Sequence, residues 1–466
     1  MNRFSIIVLL LVSGCAVGPD YKRPDAPVTA AYKELEGWRA ATPQDEAPRG
    51  QWWAAFADPE LDALLARLEV SNQNVRAAEA RVRQARAVAE QARAGFFPTV
   101  AANASATRSK SPSLSNAPSF ATGAVNTFNA TLSASSWELD LWGKVRRAVE
   151  AGDAAFQASG ADLEAAKLSA RAALAQAYFT LRANEATRRL LQETVSAYQR
   201  SVELTQNRYK AGVAARVDVV QAEVQLKSTQ AQLIDLDVER AQLEHAIAIL
   251  VGEAPAAFAL ATPTAELRMP VVPAGVPSTL LERRPDIASA ERSVAAANAR
   301  IGVAKAAMFP TLTLSGSAGF RSSSLGDLFS APSRLWSLGG AALAPLFDAG
   351  LRRQQTNQAV AVYDEEVAQY RQTVLAAFQE VEDNLAALRI LEQEAKLQDE
   401  VVADARRAVE LTINQYQAGV VSFLNVITAQ TTLLANQRTA SGILARRLTA
   451  SVGLVKALGG GWKTPE

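Results

Sequence analysis

The sequence predicts a mainly α-helical chain with a transmembrane β part, built as a two-fold internal repeat. Three observations predict it. Residues 143–211 and 350–418 are two stretches of 69 residues almost free of helix breakers: the second holds no Gly or Pro after Gly350, and the first only Gly152 and Gly160. Four short runs alternate polar and apolar residues with the period of a strand. Finally, Asn74-Val75, Ala78-Glu79, Val82, Ala85, Ala92 and Phe97-Pro98-Thr99 return in register as Asp286-Ile287, Ala290-Glu291, Val294, Ala297, Ala304 and Phe309-Pro310-Thr311. The motif Asn207, Tyr209, Ala211-Gly212-Val213 likewise returns as Asn414, Tyr416, Ala418-Gly419-Val420. A period above ~200 residues exceeds any solenoid unit, so a whole half-molecule is duplicated.

Composition narrows the function classes. The chain has 466 residues, 49% hydrophobic and 20% charged, enough apolar material for large buried cores. Lys+Arg number 48 against Asp+Glu 47, a net charge of +1 that leaves no electrostatic footprint for nucleic acid. A single His (His245) and a single Cys (Cys15) exclude the usual zinc sites and argue against a Ser/His/Asp or Cys/His catalytic set. No enzyme, metal site or cofactor is expected, and no disulfide can form within one chain.

The elements follow in chain order. Residues 1–14 carry a positive start, a short apolar run and small residues, the parts of a secretory signal. The apolar run is too short to cross a bilayer, which takes ~20 residues. Residues 15–58 form an N-terminal segment expected to begin at a lipidated Cys15, since Val12-Ser13-Gly14 precede it as in a lipobox. The first repeat, 59–252, opens with one long helix over 60–94, free of Gly and Pro and rich in Ala, Arg and Gln. Two strands lie within 99–137: an Ala/polar alternation over 101–107 and a faultless one over 128–135. The long helix 143–211 comes next, with Leu174, Leu181, Val195, Val202 and Tyr209 on one seven-residue register and Ala177, Leu191 and Tyr198 beside them. That is a coiled-coil seam, interrupted by Asn184 and Arg188. Gly212 turns the chain into a return helix, 213–251, on which His245 shares a face with Val217, Val224, Ala231 and Val238 as a structural residue.

A Pro-rich connector, 253–284, carries Pro255, Pro263, Pro270, Pro273 and Pro277. The second repeat, 285–459, has the same plan: a helix, two strands within 311–347, the long helix 350–418, the turn at Gly419 and a return helix 420–458. A short tail, 460–466, ends the chain. In each half the first helix and the return helix together match one long helix, so two short helices stack end to end beside it.

An open four-stranded sheet in lipid leaves backbone groups unpaired at several kcal/mol each, and single-chain barrels begin at about eight strands. Four strands per chain therefore call for oligomerisation, and three chains would make twelve.

Several motifs together carry a family resemblance. Cys15 followed by Val17-Gly18-Pro19-Asp20-Tyr21-Lys22-Arg23-Pro24, then Trp52-Trp53, Phe56 and Asp58-Pro59-Glu60-Leu61, begin the set. Glu282-Arg283-Arg284-Pro285-Asp286-Ile287, Phe309-Pro310-Thr311 and the turn around Tyr416, Gly419, Leu424 and Ala429-Gln430 complete it. The combination, spanning nearly the whole mature chain, resembles the outer membrane factors of tripartite (RND-type) efflux pumps, TolC-like, in their lipoprotein (NodT-type) branch. The resemblance implies a homotrimer with a twelve-stranded β-barrel in the outer membrane, lipid-anchored, above a helical α-barrel with an equatorial girdle in the periplasm. It implies as partners a periplasmic adaptor (membrane fusion protein), an inner-membrane pump and outer-membrane lipid. It implies export of small molecules through a passive gated conduit.

On that reading the turns at Gly212 and Gly419 form the periplasmic mouth. Related channels often narrow it with carboxylates just after the turn. This chain offers Asp218 in the first half but Asn425 and Thr428 in the second, so closure is expected to rest on packing and neutral hydrogen bonds, with Tyr416, Tyr209 and Leu424 beside the constriction. Each has a plainer reading: Asp218 as a helix-start carboxylate at the positive end of the dipole, the tyrosines as seam packing. Two other functions share much of this pattern. A type I protein-secretion channel has the same architecture, and a periplasmic coiled-coil tether has the anchor and helices but no need of strands.

Overall fold

A computed structural model describes residues 16–28, 31–34, 52–110, 123–261, 269 and 284–460. In order, α1 (Pro59–Ser71), α2 (Gln73–Ala94), β1 (Val100–Ser109), β2 (Val125–Glu138), α3 (Lys144–Lys210) and α4 (Arg216–Leu250) make the first repeat. The second consists of α5 (Pro285–Ala306), β3 (Thr311–Ser322), β4 (Arg334–Leu343), α6 (Leu351–Gln417) and α7 (Phe423–Ala457). The long helices α3 and α6 are each 67 residues and the return helices α4 and α7 each 35, so the repeat holds to the residue. The chain forms two compact units, each drawing on both repeats. Unit 1 comprises residues 1–25, 81–160 and 289–370; unit 2 comprises 26–80, 161–288 and 371–466.

One expectation about the helices fails. The Gly- and Pro-free stretch 60–94 is not one helix but α1 and α2, broken at the buried Asn72. Asn72 adopts an extended backbone, and its side-chain oxygen accepts from the amides of Asn74 and Val75 at 3.0 Å each, capping α2. Its side-chain amide donates to the carbonyl of Leu250 at 2.7 Å, joining the end of α4. Asn competes for backbone groups better than it sustains a helix, and here a tertiary acceptor rewards the break.

In unit 2 the core follows the expected seam of α3: Leu174, Leu181, Leu191, Tyr198 and Val202 are buried, whereas Tyr209 is 43% exposed. The seam's interruptions are met by polar partners. Asn184 donates to Glu239 at 2.8 Å, and Arg188 pairs with Asp237 at 2.9 Å. A larger polar cluster surrounds the buried Arg182, which pairs with Glu60 and with Glu185 and lies over the ring of Tyr178. Tyr178 in turn donates to Asp58, the residue that caps α1 by accepting from the amides of Glu60 and Leu61. Trp52, Trp53 and Phe56 pack as a buried aromatic group, with Phe56 against Phe179. Charges this deep persist only where each has a partner.

In unit 1 the N-terminal segment is held residue by residue. The Val17 amide donates to the Trp142 carbonyl, Asn298 to the Pro19 carbonyl, and Arg147 to Asp20. Tyr21 donates to Glu291, and Arg23 to the Tyr370 hydroxyl. Gly18, at φ +117°, lies so close to Gly302 that a side chain at Gly18 would strike the Gly302 backbone, and one at Gly302 would press on the Arg147 side chain and the Val17 carbonyl.

The four strands form one antiparallel sheet in the order β1-β2-β3-β4. Its register sorts the residues cleanly. One face carries Asn103, Ser105, Asn129, Thr131, Ser133, Thr313, Ser315, Ser317 and Ser337. The other carries Ala102, Ala104, Phe128, Ala130, Leu132, Leu314, Ala318, Phe320, Trp336 and Leu338. Leu335 and Leu343, at the two ends of β4, depart from this sorting. The fourth strand ends at Leu343, short of the expected 347.

Replacing Asn72 by Ala removes the one oxygen that caps two amides and leaves the Leu250 carbonyl without its side-chain donor. The expected cost is about 2 kcal/mol. Thermal unfolding followed by helical circular dichroism should show a clear drop in midpoint for Asn72→Ala and almost none for the exposed Gln73→Ala.

Candidate functional site

The candidate site lies in unit 2, at the two helix turns. Gly212 and Gly419 both have positive φ, +75° and +78°, which only glycine adopts without strain. Each closes its long helix in the same way. The Gly212 amide reaches the Tyr209 carbonyl and the Val213 amide the Arg208 carbonyl; Gly419 and Val420 repeat this with Tyr416 and Gln415. These are glycine helix stops of the kind that satisfy orphan carbonyls.

The two turns are equivalent in backbone but not in side chains. Tyr416 is 4% exposed and packs in a cluster with Val202, Ala222, Phe423 and Val426; its ring centroid is 5.3 Å from that of Phe423. Arg208, from the first repeat, lies over the Tyr416 ring at 4.8 Å and donates to the Gln417 carbonyl at 3.0 Å. One arginine thus ties the end of α3 to the end of α6. Its counterpart by the repeat is Gln415, and the counterpart of Phe423 is Arg216, so Tyr209 has no such clamp and stays half-exposed.

Of the two readings of the tyrosines, seam packing is the one seen at Tyr416. Among the described residues the Tyr416 hydroxyl is buried and meets no partner in good hydrogen-bond geometry, although the Arg208 guanidinium is near enough to act on it. Burial first, and the Asp218 carboxylate second, push the Tyr416 phenol above its usual range. The hydroxyl is therefore a neutral OH at any physiological pH.

The other candidates divide. Asp218 is the acidic residue of the first turn of α4, where the helix dipole favours it. Leu424, Asn425 and Thr428 lie on the exposed side of α7, Leu424 at 55%. Asn425 and Thr428 line an open groove of about 320 Å³ with Ala405, Ala408, Ala429 and Thr432. The Thr428 hydroxyl donates back to the Leu424 carbonyl at 2.9 Å. The structure therefore assembles Tyr416 into the core, sets Asp218 close enough to act on it, and leaves the other three on a free surface. Sequence reasoning missed Arg208 and Phe423. The signal was available where the two repeats differ: Arg208 against Gln415, and Phe423 against Arg216. His245 and its neighbours Val217, Val224 and Val238 are exposed in the single chain. Cys15 lies outside the described residues, as do Glu282 and Arg283 and most of the Pro-rich connector. Among the described residues no helix is long and apolar enough to cross a membrane.

Comparison with known proteins fits this geometry. Residues 64–253 and 276–460 match the family described as outer membrane efflux protein. The chain is 36% identical over 472 residues to the pyoverdine export outer membrane protein OpmQ of Pseudomonas aeruginosa, covering all of this chain and 98% of the relative. It is 33% identical over 458 residues to the probable efflux pump outer membrane protein TtgC of Pseudomonas putida, covering 98% and 94%. Among solved structures it is similar to the outer-membrane channel OprN, with a TM-score of 0.88 at 31% identity over 96% of this chain and all of that one. It is also similar to the CmeC outer membrane channel of Campylobacter jejuni, with a TM-score of 0.89 at 26% identity over 97% and 96%.

Because the Tyr416 hydroxyl has no partner and its ring is packed, the two truncations of this side chain should separate. Tyr416→Phe should leave the thermal midpoint unchanged or slightly raised, since an unsatisfied buried hydroxyl costs about 1 kcal/mol or more. Tyr416→Ala should lose about 3 kcal/mol. Equal destabilisation by both would mean that the hydroxyl has a partner in the assembled protein.

Proposed function

From the premise that this chain belongs to the outer membrane efflux protein family, we propose how it forms and closes a channel: three copies complete one barrel, and packing at the Arg208–Tyr416 turn shuts it. The protein is an outer-membrane efflux channel. Members of the family are channel proteins rather than enzymes, and such channels work in tripartite pumps with an adaptor and an inner-membrane component.

The observation that carries the reading is the two-faced sheet. Leu132, Trp336 and Leu338 stand on one face at 58%, 79% and 80% exposure in the single chain, a surface suited to lipid. The opposite face is lined by hydroxyls and amides, as a water-filled passage requires. The outer edges of β1 and β4 have no strand partner among the described residues. With an even number of antiparallel strands per chain, β4 of one copy meets β1 of the next antiparallel, and three copies close twelve strands. Four strands alone are too few for a barrel.

The cargo is a class of small molecules. Relatives are described as exporting pyoverdine, as antibiotic efflux proteins and as toluene efflux proteins. A polar, uncharged lining over most of the strand length selects weakly, which suits varied small solutes. Opening separates the turns, and the adaptor favours the open state by binding it more tightly. A lipid anchor at Cys15 supplements the barrel, joining the outer-membrane leaflet on the periplasmic side.

Planar-bilayer recordings of the detergent-purified protein test the channel. A trimer with low resting conductance is expected; a monodisperse monomer, or a trimer without conductance in any variant, would refute it. Arg208→Ala removes the cation–π contact and the Gln417 hydrogen bond, and should raise resting open probability on the order of ten-fold. Leu424→Ser should raise it more than Tyr416→Phe does, and Asp218→Asn should shift ion preference if three copies bring that carboxylate together. Labelled palmitate should enter the protein and disappear in Cys15→Ser, whereas an unmodified mature N-terminus by mass spectrometry would exclude the anchor.

A further inference from the structure

The charges of the β region are distributed in one direction. Across residues 99–137 and 311–347 the charged side chains are Arg108, Lys110, Arg321, Asp327 and Arg334. Four are cations, and all four lie at the strand ends that meet the β1–β2 and β3–β4 connections. Arg108 is the penultimate residue of β1, Lys110 follows it, Arg321 is the penultimate residue of β3, and Arg334 is the first of β4. All are exposed, and none makes an ion pair or side-chain hydrogen bond among the described residues. The β1–β2 connection, 111–124, contains no charged residue at all, so it brings no carboxylate to them.

The opposite ends of the strands differ. There Lys144 pairs with Glu138 at 2.9 Å, Arg146 with Asp140 at 3.2 Å and Arg352 with Asp348 at 2.9 Å. Three cations are thus paired where the strands enter the helices, whereas the four at the loop ends have no counter-ion among the described residues.

Register then separates the loop-end cations by face. Arg334 is opposite Phe320, which is opposite Ala130, and so stands in the apolar row one pair beyond Trp336–Ala318. Arg108 continues the row of Ala104 and Ala106. Arg321 is opposite Asn129, in the polar row. Two arginines therefore lie at the rim of the lipid-facing surface, and a third at a similar level faces the passage. Phe320 stacks edge-on against Phe329 at 5.4 Å beside them, so aromatic rings border this rim as they border membrane interfaces.

We propose that Arg108 and Arg334 form a binding collar for the phosphate groups of anionic glycolipid in the outer leaflet. The inference rests on the barrel reading above, which makes the apolar face the lipid face and the loop end the outer one. The guanidinium group suits a phosphate because its fork donates two parallel hydrogen bonds, and its aliphatic stem lies along apolar surface while the head reaches the interface. A cation at a membrane rim gains about 1 kcal/mol from an anionic lipid surface. The same residue facing neutral headgroups would gain nothing for staying unpaired. Three copies repeat the pair around the barrel and so hold a ring of lipid against it.

The test uses the purified protein in detergent, titrated with diphosphoryl lipid A, with its dephosphorylated form and with inorganic phosphate. Wild-type protein should bind the diphosphoryl form about ten-fold more tightly than the dephosphorylated one. The double variant Arg108→Gln/Arg334→Gln should lose that preference, Arg334→Lys should keep part of it, and Arg321→Gln should keep it whole. A preference that survives in the double variant, or is lost equally in Arg321→Gln, overturns the collar. So does displacement of the lipid by millimolar inorganic phosphate, which would mark a site for free anions. Conductance measured on the same samples separates the two readings: selective lipid binding by protein that never conducts counts against the channel and leaves the collar standing.

Discussion

A strand edge cannot end in lipid. Each unpaired amide or carbonyl there costs several kcal/mol, and β1 and β4 each present a whole row. This constraint organises the rest of the molecule. In the proposed trimer it makes the single chain one part of a barrel, which accounts for the exposed Trp336 and Leu338 on the apolar face of the sheet. In that proposed ring each chain must bring its four strands in a fixed relation, since an error in one copy leaves an edge open.

The N-terminal segment meets that demand within unit 1. Val17, Pro19, Asp20, Tyr21 and Arg23 reach Trp142, Asn298, Arg147, Glu291 and Tyr370, residues of both repeats. The close approach of Gly18 and Gly302 lets this strap lie flat on α5. Trp142 adds a second link, stacking on Phe309 and donating to the Pro310 carbonyl at 2.8 Å. The motifs 17–24 and 309–311 are therefore two sides of one fastening that sets where the strands leave the helices.

Unit 2 uses charge where unit 1 uses a strap. Arg182, Glu185, Arg240 and Glu244 form a chain of ion pairs that ends on the Leu260 carbonyl and amide, while Arg284 pairs with Asp286 and Glu380 and donates to the Ala457 carbonyl. Buried pairs of this kind add little net stability, yet losing one partner is costly, so they specify an arrangement more than they strengthen it. Among the described residues the turn region has no such pair and is held by Tyr416, Phe423 and Arg208. That is a lighter fastening, in keeping with the gate proposed there.

Sequence alone determined the architecture because its signals are local or repeated. A helix of 67 residues needs only an unbroken run of helix formers, a strand shows in the alternation at 128–135, and a duplication is visible wherever Ala211-Gly212-Val213 and Ala418-Gly419-Val420 agree. The family motifs were equally legible, although their physical task was not. What tertiary structure decided are matters in which residues far apart in sequence choose one another. Asn72 breaks a helix because the Leu250 carbonyl is waiting for it. Tyr416 is sealed in the core while its counterpart Tyr209 is half-exposed, because Arg208 and Phe423 stand beside one and not the other. Arg108 and Arg334 fall on the apolar face and Arg321 on the polar one because the ladder register, a property of paired strands, assigns each residue its side. Local pattern names the elements; only pairing between distant segments settles which faces, caps and charges meet.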